Sequence, residues 1–101
     1  QVIRHKMADM STQLAAARAL TGELAIRYAR GEEDPALAAM TKNAATDMCS
    51  FVCDHAVQIH GGYGYMREVL VERLNRDARL YTIGGATREI MNEIITKARG
   101  F

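Results

Sequence analysis

At 101 residues, with 49% hydrophobic and 25% charged positions, the chain has the size and make-up of one globular domain, residues 1–101, and not of a disordered or fibrous polymer. The 13 basic and 12 acidic residues leave a net charge of +1, which gives no reason to expect nucleic acid or an anionic membrane as partner. No apolar run approaches the roughly 20 residues of a membrane span, and no signal-peptide pattern opens the chain.

In chain order, Ile3, Met7, Met10, Leu14, Ala17, Thr21, Leu24 and Tyr28 step by four and three residues, and only Thr21 interrupts the apolar seam. That is the roughly 3.5-residue repeat of a helix packed nearly parallel or antiparallel to others. The pattern enters mid-helix, so the chain is expected to be part of something longer. Gly31, just after Arg27 and Arg30, suits a helix C-terminus. Asp34 and Pro35 then supply an N-cap and a proline at the first helical position, opening a second helix over residues 35–60.

That helix carries Leu37, Met40, Ala44, Met48, Phe51, Val52, Ala56 and Ile59 as its apolar set, small and flexible side chains that permit close packing. Its Cys49 and Cys53 are the only cysteines; four apart on one helix face, they lack the usual backbone geometry of a disulfide. Too few ligands lie near them for a metal site, and the three histidines show no i, i+4 spacing, so no metal is expected. After the glycines at 61–64, a shorter helix is predicted over about 69–80. A last one is predicted over about 86–99, with Ile90, Met91, Ile94 and Ile95 on one side. With one proline and no strand-like alternation, the fold class is all-α, an up-and-down helical bundle.

Gly61-Gly62-Tyr63-Gly64 reads first as a turn that ends a helix and reverses the chain, and second as a place where a ligand comes close to the backbone. It is not a dinucleotide fingerprint, since Arg67 stands where the third glycine belongs, and no Gly-Lys-Ser/Thr follows to make a Walker loop. Glu72 with Arg76 and Arg73 with Asp77 read as i, i+4 pairs on a solvated helix face. Gly84-Gly85 precedes a helix start, whose free N–H groups suit a carbonyl or phosphate oxygen.

In order and spacing, Gln58-Ile59-His60-Gly61-Gly62-Tyr63-Gly64-Tyr65, the charged segment Val71 to Arg79, and Ile83-Gly84-Gly85-Ala86-Thr87-Arg88-Glu89-Ile90 closely resemble the signature of the C-terminal helical domain of flavin-dependent acyl-CoA dehydrogenases. Gln1 to Met10 resembles the start of the second helix of that domain's bundle, so the resemblance covers essentially the whole chain and implies that the first bundle helix precedes Gln1. It implies FAD as cofactor, an acyl-CoA as substrate, and a homotetramer built as a dimer of dimers. An electron-transfer flavoprotein is the implied acceptor, and the cytoplasm or mitochondrial matrix the implied compartment. Gln58 with the Gly61 and Gly62 backbone matches the contact to the ADP portion of a neighbouring subunit's FAD, and Gln1 has a matching role. Thr87 and Glu89 match positions that touch FAD of the same subunit.

At the substrate end the chain departs from the commonest family pattern. Many members carry Tyr-Glu-Gly-Thr, whose glutamate removes the α-proton of the thioester as hydride leaves the β-carbon. Here the run is Gly84-Gly85-Ala86-Thr87, so Gly84, Gly85 and Ala86 match substrate-binding positions, and no residue of the chain is a catalytic base. The long-chain and isovaleryl branches also lack glutamate here and carry the base on the preceding helix; Gly84-Gly85 with Glu89-Ile90-Met91 is most similar to the long-chain type. The alternatives are a non-dehydrogenating relative that kept the flavin site, and a free-standing helical interaction module. The two glycines leave room for a bulkier acyl group, and Ala86 adds a methyl where glycine is usual. By itself the chain is expected to be inactive and to associate through the apolar face that the first helix would cover.

Overall fold

In a computed structural model describing residues 1–101, the first apolar seam forms α1, Val2–Ala29, and the second forms α2, Pro35–His60. A single 3₁₀ segment, Gly61–Tyr65, leads to α3, Leu70–Tyr81, and α4, Arg88–Arg99, follows. The architecture is therefore the expected all-α one. The boundary between α1 and α2 is set by Asp34, whose Oδ1 accepts a hydrogen bond from the Leu37 N–H at 2.8 Å, with Pro35 in the first turn; such a cap contributes about 1 kcal/mol.

Helix α2 is the spine. It packs against α1 on one side and against α3 and α4 on the other, while α1 touches neither α3 nor α4. Asn43 pairs with Asn92 in the first half of α4, and Asp34 lies 3.8 Å from Arg99 at its end, so α4 runs antiparallel along the first half of α2. Helix α3, of the same length as α4, covers the second half, and the loop joining the two, residues 82–87, falls near the middle of the spine. The pair of long helices, each about 40 Å by its residue count, accounts for the 46 Å long axis of the molecule.

The core is thin. Met10 and Ala17 of α1, Ala36, Leu37 and Ala39 of α2, and Ala78 of α3 are its buried apolar members, and no large side chain is fully enclosed. The α1 seam is only partly used: Met10 and Ala17 are buried, but Ile3, Met7 and Tyr28 are exposed at 57%, 53% and 78%. Within the chain, α2 alone lies against α1.

Two local expectations shift. Glu72 and Arg76 pair at 3.1 Å, but Arg73 and Asp77 do not. Helix α4 begins at Arg88 rather than 86 because Thr87 is its cap, the hydroxyl accepting from the Ile90 N–H at 3.5 Å. No helix is long and apolar enough to cross a membrane.

Candidate functional site

The residues singled out in the sequence fall into two groups at different heights on α2. At its C-terminal end, the Gly61 N–H closes the helix on the Gln58 carbonyl, and Gly61 takes φ +61°, a backbone value that favours glycine. The chain then turns so tightly that a Cβ on Gly64 would lie 2.5 Å from the Val57 carbonyl oxygen and 3.0 Å from its Cα. Gly64 is thus required by packing within the chain. Gly62 is not: a Cβ there would meet nothing within 4 Å. The Gln58 side chain is exposed beside this turn. Gln1, exposed at the start of α1 with no capping hydrogen bond of its own, lies at the same end of the molecule because α1 and α2 are antiparallel.

The second group is the 82–87 loop and the first turn of α4, about 16 Å down α2 from Gln58. Gly84 donates its N–H to the Leu80 carbonyl at 2.7 Å, and a Cβ on Gly84 would press on that same oxygen at 3.3 Å. Gly85 has φ +76° with open space around its Cα, and Ala86 is nearly extended at φ 157°. The N–H groups of Gly85, Ala86 and Thr87 have no acceptor in the chain, leaving three adjacent donors at a helix N-terminus, where the dipole favours an anion or carbonyl oxygen. The structure thus brings Gly84, Gly85, Ala86, Thr87 and Glu89 together, and separately Gln1, Gln58, Gly61 and Gly62.

What holds the loop was not visible in the sequence. Lys42 donates from Nζ to the Ala86 carbonyl at 2.7 Å and to the Thr82 carbonyl at 3.4 Å. Asn43 donates from Nδ2 to Asn92 at 3.1 Å, and Arg88 forms an ion pair with Asp47. These three α2 residues lie 40 to 49 positions before their partners, so nothing local marks them. Below the loop, Lys42, Ala45, Thr46, Cys49, Leu80, Tyr81 and Gly84 line a mainly apolar cleft of about 420 Å³.

The loop itself offers no proton acceptor. The nearest acid in sequence is Glu89, whose carboxyl is held below its ordinary range by its own backbone N–H first, then by the Thr87 hydroxyl and the Arg88 charge; a depressed carboxylate is a weak base. Because the folded-state value is lowered, its stabilising effect is complete above the ordinary carboxylate range and is lost as pH falls through the depressed value. Glu89→Gln is accordingly expected to lower the thermal midpoint at neutral pH and to match the unsubstituted protein in strong acid; equal midpoints at neutral pH contradict this. On α2, burial first and then neighbouring Cys49 push the part-buried Cys53 thiol up to about 11, so at neutral pH it is protonated and unreactive.

The spine thus carries a glycine-rich turn at one end and a loop of free amides at mid-height. Residues 1–99 match the family described as acyl-CoA dehydrogenase, C-terminal domain, and the chain belongs to that family. It is 44% identical over 97 residues to an acyl-CoA dehydrogenase of Bacillus subtilis, covering 96% of this chain and 26% of that protein. It is 40% identical over 96 residues to the CarC subunit of the caffeyl-CoA reductase-Etf complex of Acetobacterium woodii, covering 95% of this chain and 25% of the other. Among solved structures, butyryl-CoA dehydrogenase from Megasphaera elsdenii superposes with a TM-score of 0.96 at 38% identity, over 100% of this chain and 26% of that one. The chain spans about a quarter of the length of these relatives.

Proposed function

We propose that this chain is the C-terminal helical domain of an FAD-dependent acyl-CoA dehydrogenase that introduces an α,β double bond into an acyl-CoA thioester. The reading rests on one observation above others: Gly62 lacks a side chain that nothing inside the chain forbids, at the position the family keeps open for the diphosphate side of FAD. The residues fit such a group, with an exposed amide at Gln58 and an open backbone at Gly62. Gln58, Gly61 and Gly62, with Gln1, hold the ADP portion of the FAD of a neighbouring subunit. Thr87 and Glu89 contact the FAD of their own subunit.

FAD, when bound, supplies the acceptor for the hydride that leaves the acyl β-carbon. Gly84, Gly85 and Ala86 line the thioester, Gly85 and Ala86 offering it their free N–H groups, and the α-proton goes to a carboxylate outside this chain, as in the long-chain branch. An electron-transfer flavoprotein takes the electrons onward; the Etf in the name of the Acetobacterium relative supports that partner. The same relative, named a reductase, favours a second direction, saturation of an enoyl-CoA over the same residues. The full-length protein is expected to purify yellow, with one flavin per subunit; a colourless protein that takes up no flavin contradicts the proposal.

Assembly follows from area. The chain exposes 7247 Å² against about 5,700 Å² for a compact monomer of its 11.2 kDa mass, and Val2, Ile3, Met7 and Ile26 of α1 are in that surface. We assign these side chains to contacts with the preceding bundle helix and with neighbouring subunits of a tetramer. Taken alone, the chain is expected to self-associate and to be inactive; a strict monomer by light scattering at high concentration contradicts the assignment.

A further inference from the structure

Lys42 is the one lysine that reaches from the spine into the 82–87 loop, and it does so without a carboxylate partner. Its charge is instead met by two carbonyls, Thr82 at the C-terminal end of α3 and Ala86 before α4. A cation is favoured at the end of a helix, where the carbonyls lack partners. The consequence for the loop comes from the peptide unit. Every peptide bond in the chain is trans, so in the planar Ala86–Thr87 unit the carbonyl and the N–H point in opposite directions. With the Ala86 oxygen drawn 2.7 Å from Lys42 Nζ on the α2 side, the Thr87 N–H is turned away from α2, and it has no acceptor in the chain.

We propose that Lys42 is a positioning residue for the ligand-contacting loop: by holding the Ala86 carbonyl it aims the Thr87 N–H outward as a donor to an oxygen of the bound ligand, either FAD or the acyl thioester. This rests on the function proposed above. Two further α2 contacts, Asn43 with Asn92 and Asp47 with Arg88, hold α4 itself in place, so Lys42 governs the loop rather than the docking of the helix. Its aliphatic stem stays in the apolar cleft, which makes Lys42→Met a conservative way to remove the charge and the donors alone.

The test compares Lys42→Met and Lys42→Arg with the unsubstituted full-length protein. Amide exchange at Ile83, Gly84, Ile90 and Met91, all bonded at the loop's edges, is expected to quicken about tenfold in Lys42→Met while exchange in α1 stays unchanged. If the ligand oxygen belongs to FAD, the flavin dissociation constant rises by about tenfold; if it belongs to the thioester, flavin content holds and kcat falls by about tenfold with KM changed less. Lys42→Arg recovers most of either loss. Unchanged loop exchange in Lys42→Met overturns the inference, and so does quickened exchange with flavin affinity and kcat/KM both intact. An unsubstituted protein that neither binds flavin nor turns over acyl-CoA removes the proposed function and this inference with it, and that failure is read without any variant.

Discussion

Gly64→Leu is expected to destabilise the protein by about 3 kcal/mol or more, whereas Gly62→Leu, two residues earlier, is expected to leave stability within about 0.5 kcal/mol and to weaken FAD binding instead. The difference lies in what each new side chain meets. At Gly64 the first atom added collides with the Val57 carbonyl at 2.5 Å and with its Cα at 3.0 Å; both are helix backbone and cannot swing aside. At Gly62 there is open space, so the fold has no objection, but the leucine fills the approach assigned to the diphosphate side of FAD. The penalty of crowding a packed contact corresponds to about tenfold or more in flavin affinity. Thermal unfolding and flavin titration of the full-length variants read the two effects separately. Equal loss of stability in both variants contradicts the division of the glycine turn into a structural and a ligand-facing part.

The second large effect concerns the base. The proposed base is a glutamate on a helix preceding Gln1 in the full-length protein, and replacing it with glutamine is expected to lower acyl-CoA oxidation by about 10²- to 10⁴-fold, the usual contribution of a positioned general base. Returning a carboxylate through Gly85→Glu in that background is expected to restore only part of the rate. Gly85 sits at φ +76°, where an L-residue costs roughly 1–2 kcal/mol, so the new side chain arrives on a loop that must first readjust. Undiminished oxidation in the first variant contradicts a base on the helix preceding Gln1.

The helices were legible in the sequence because each carries its own signal. Asp34-Pro35 marks the start of α2 to the residue, and the glycines at 61 and 62 mark its end. The last start was misread by two positions, since Gly84-Gly85 suggested an opening at 86 while the hydroxyl that caps α4 belongs to Thr87. The α1 seam was legible as a pattern, but a seam does not say how many neighbours it has; Ile3 and Met7 fit the repeat and are nonetheless exposed. For the site, the glycines and the polar residues beside them could be named from motif order. The resemblance also set Gln1, Gln58, Gly61 and Gly62 apart from the 84–89 residues, but the Lys42, Asn43 and Asp47 contacts that fix the second group could not be read there. Those three residues stand on an alanine-rich helix with no special local pattern, and their significance arises only when α4 folds back along the spine. Spacing also could not distinguish Gly64 from Gly62, because the close approach that demands one and ignores the other depends on the tightness of the turn.

The central claim is that these residues complete a flavin and acyl-CoA site whose proton acceptor lies elsewhere. Its most direct test is an anaerobic titration of the full-length protein with saturated acyl-CoA thioesters of graded chain length, followed by the visible flavin absorbance. Bleaching on addition of at least one of them, with the corresponding enoyl-CoA recovered, is the result expected. A flavin spectrum unmoved by every thioester, and by enoyl-CoA added after chemical reduction of the flavin, contradicts the claim.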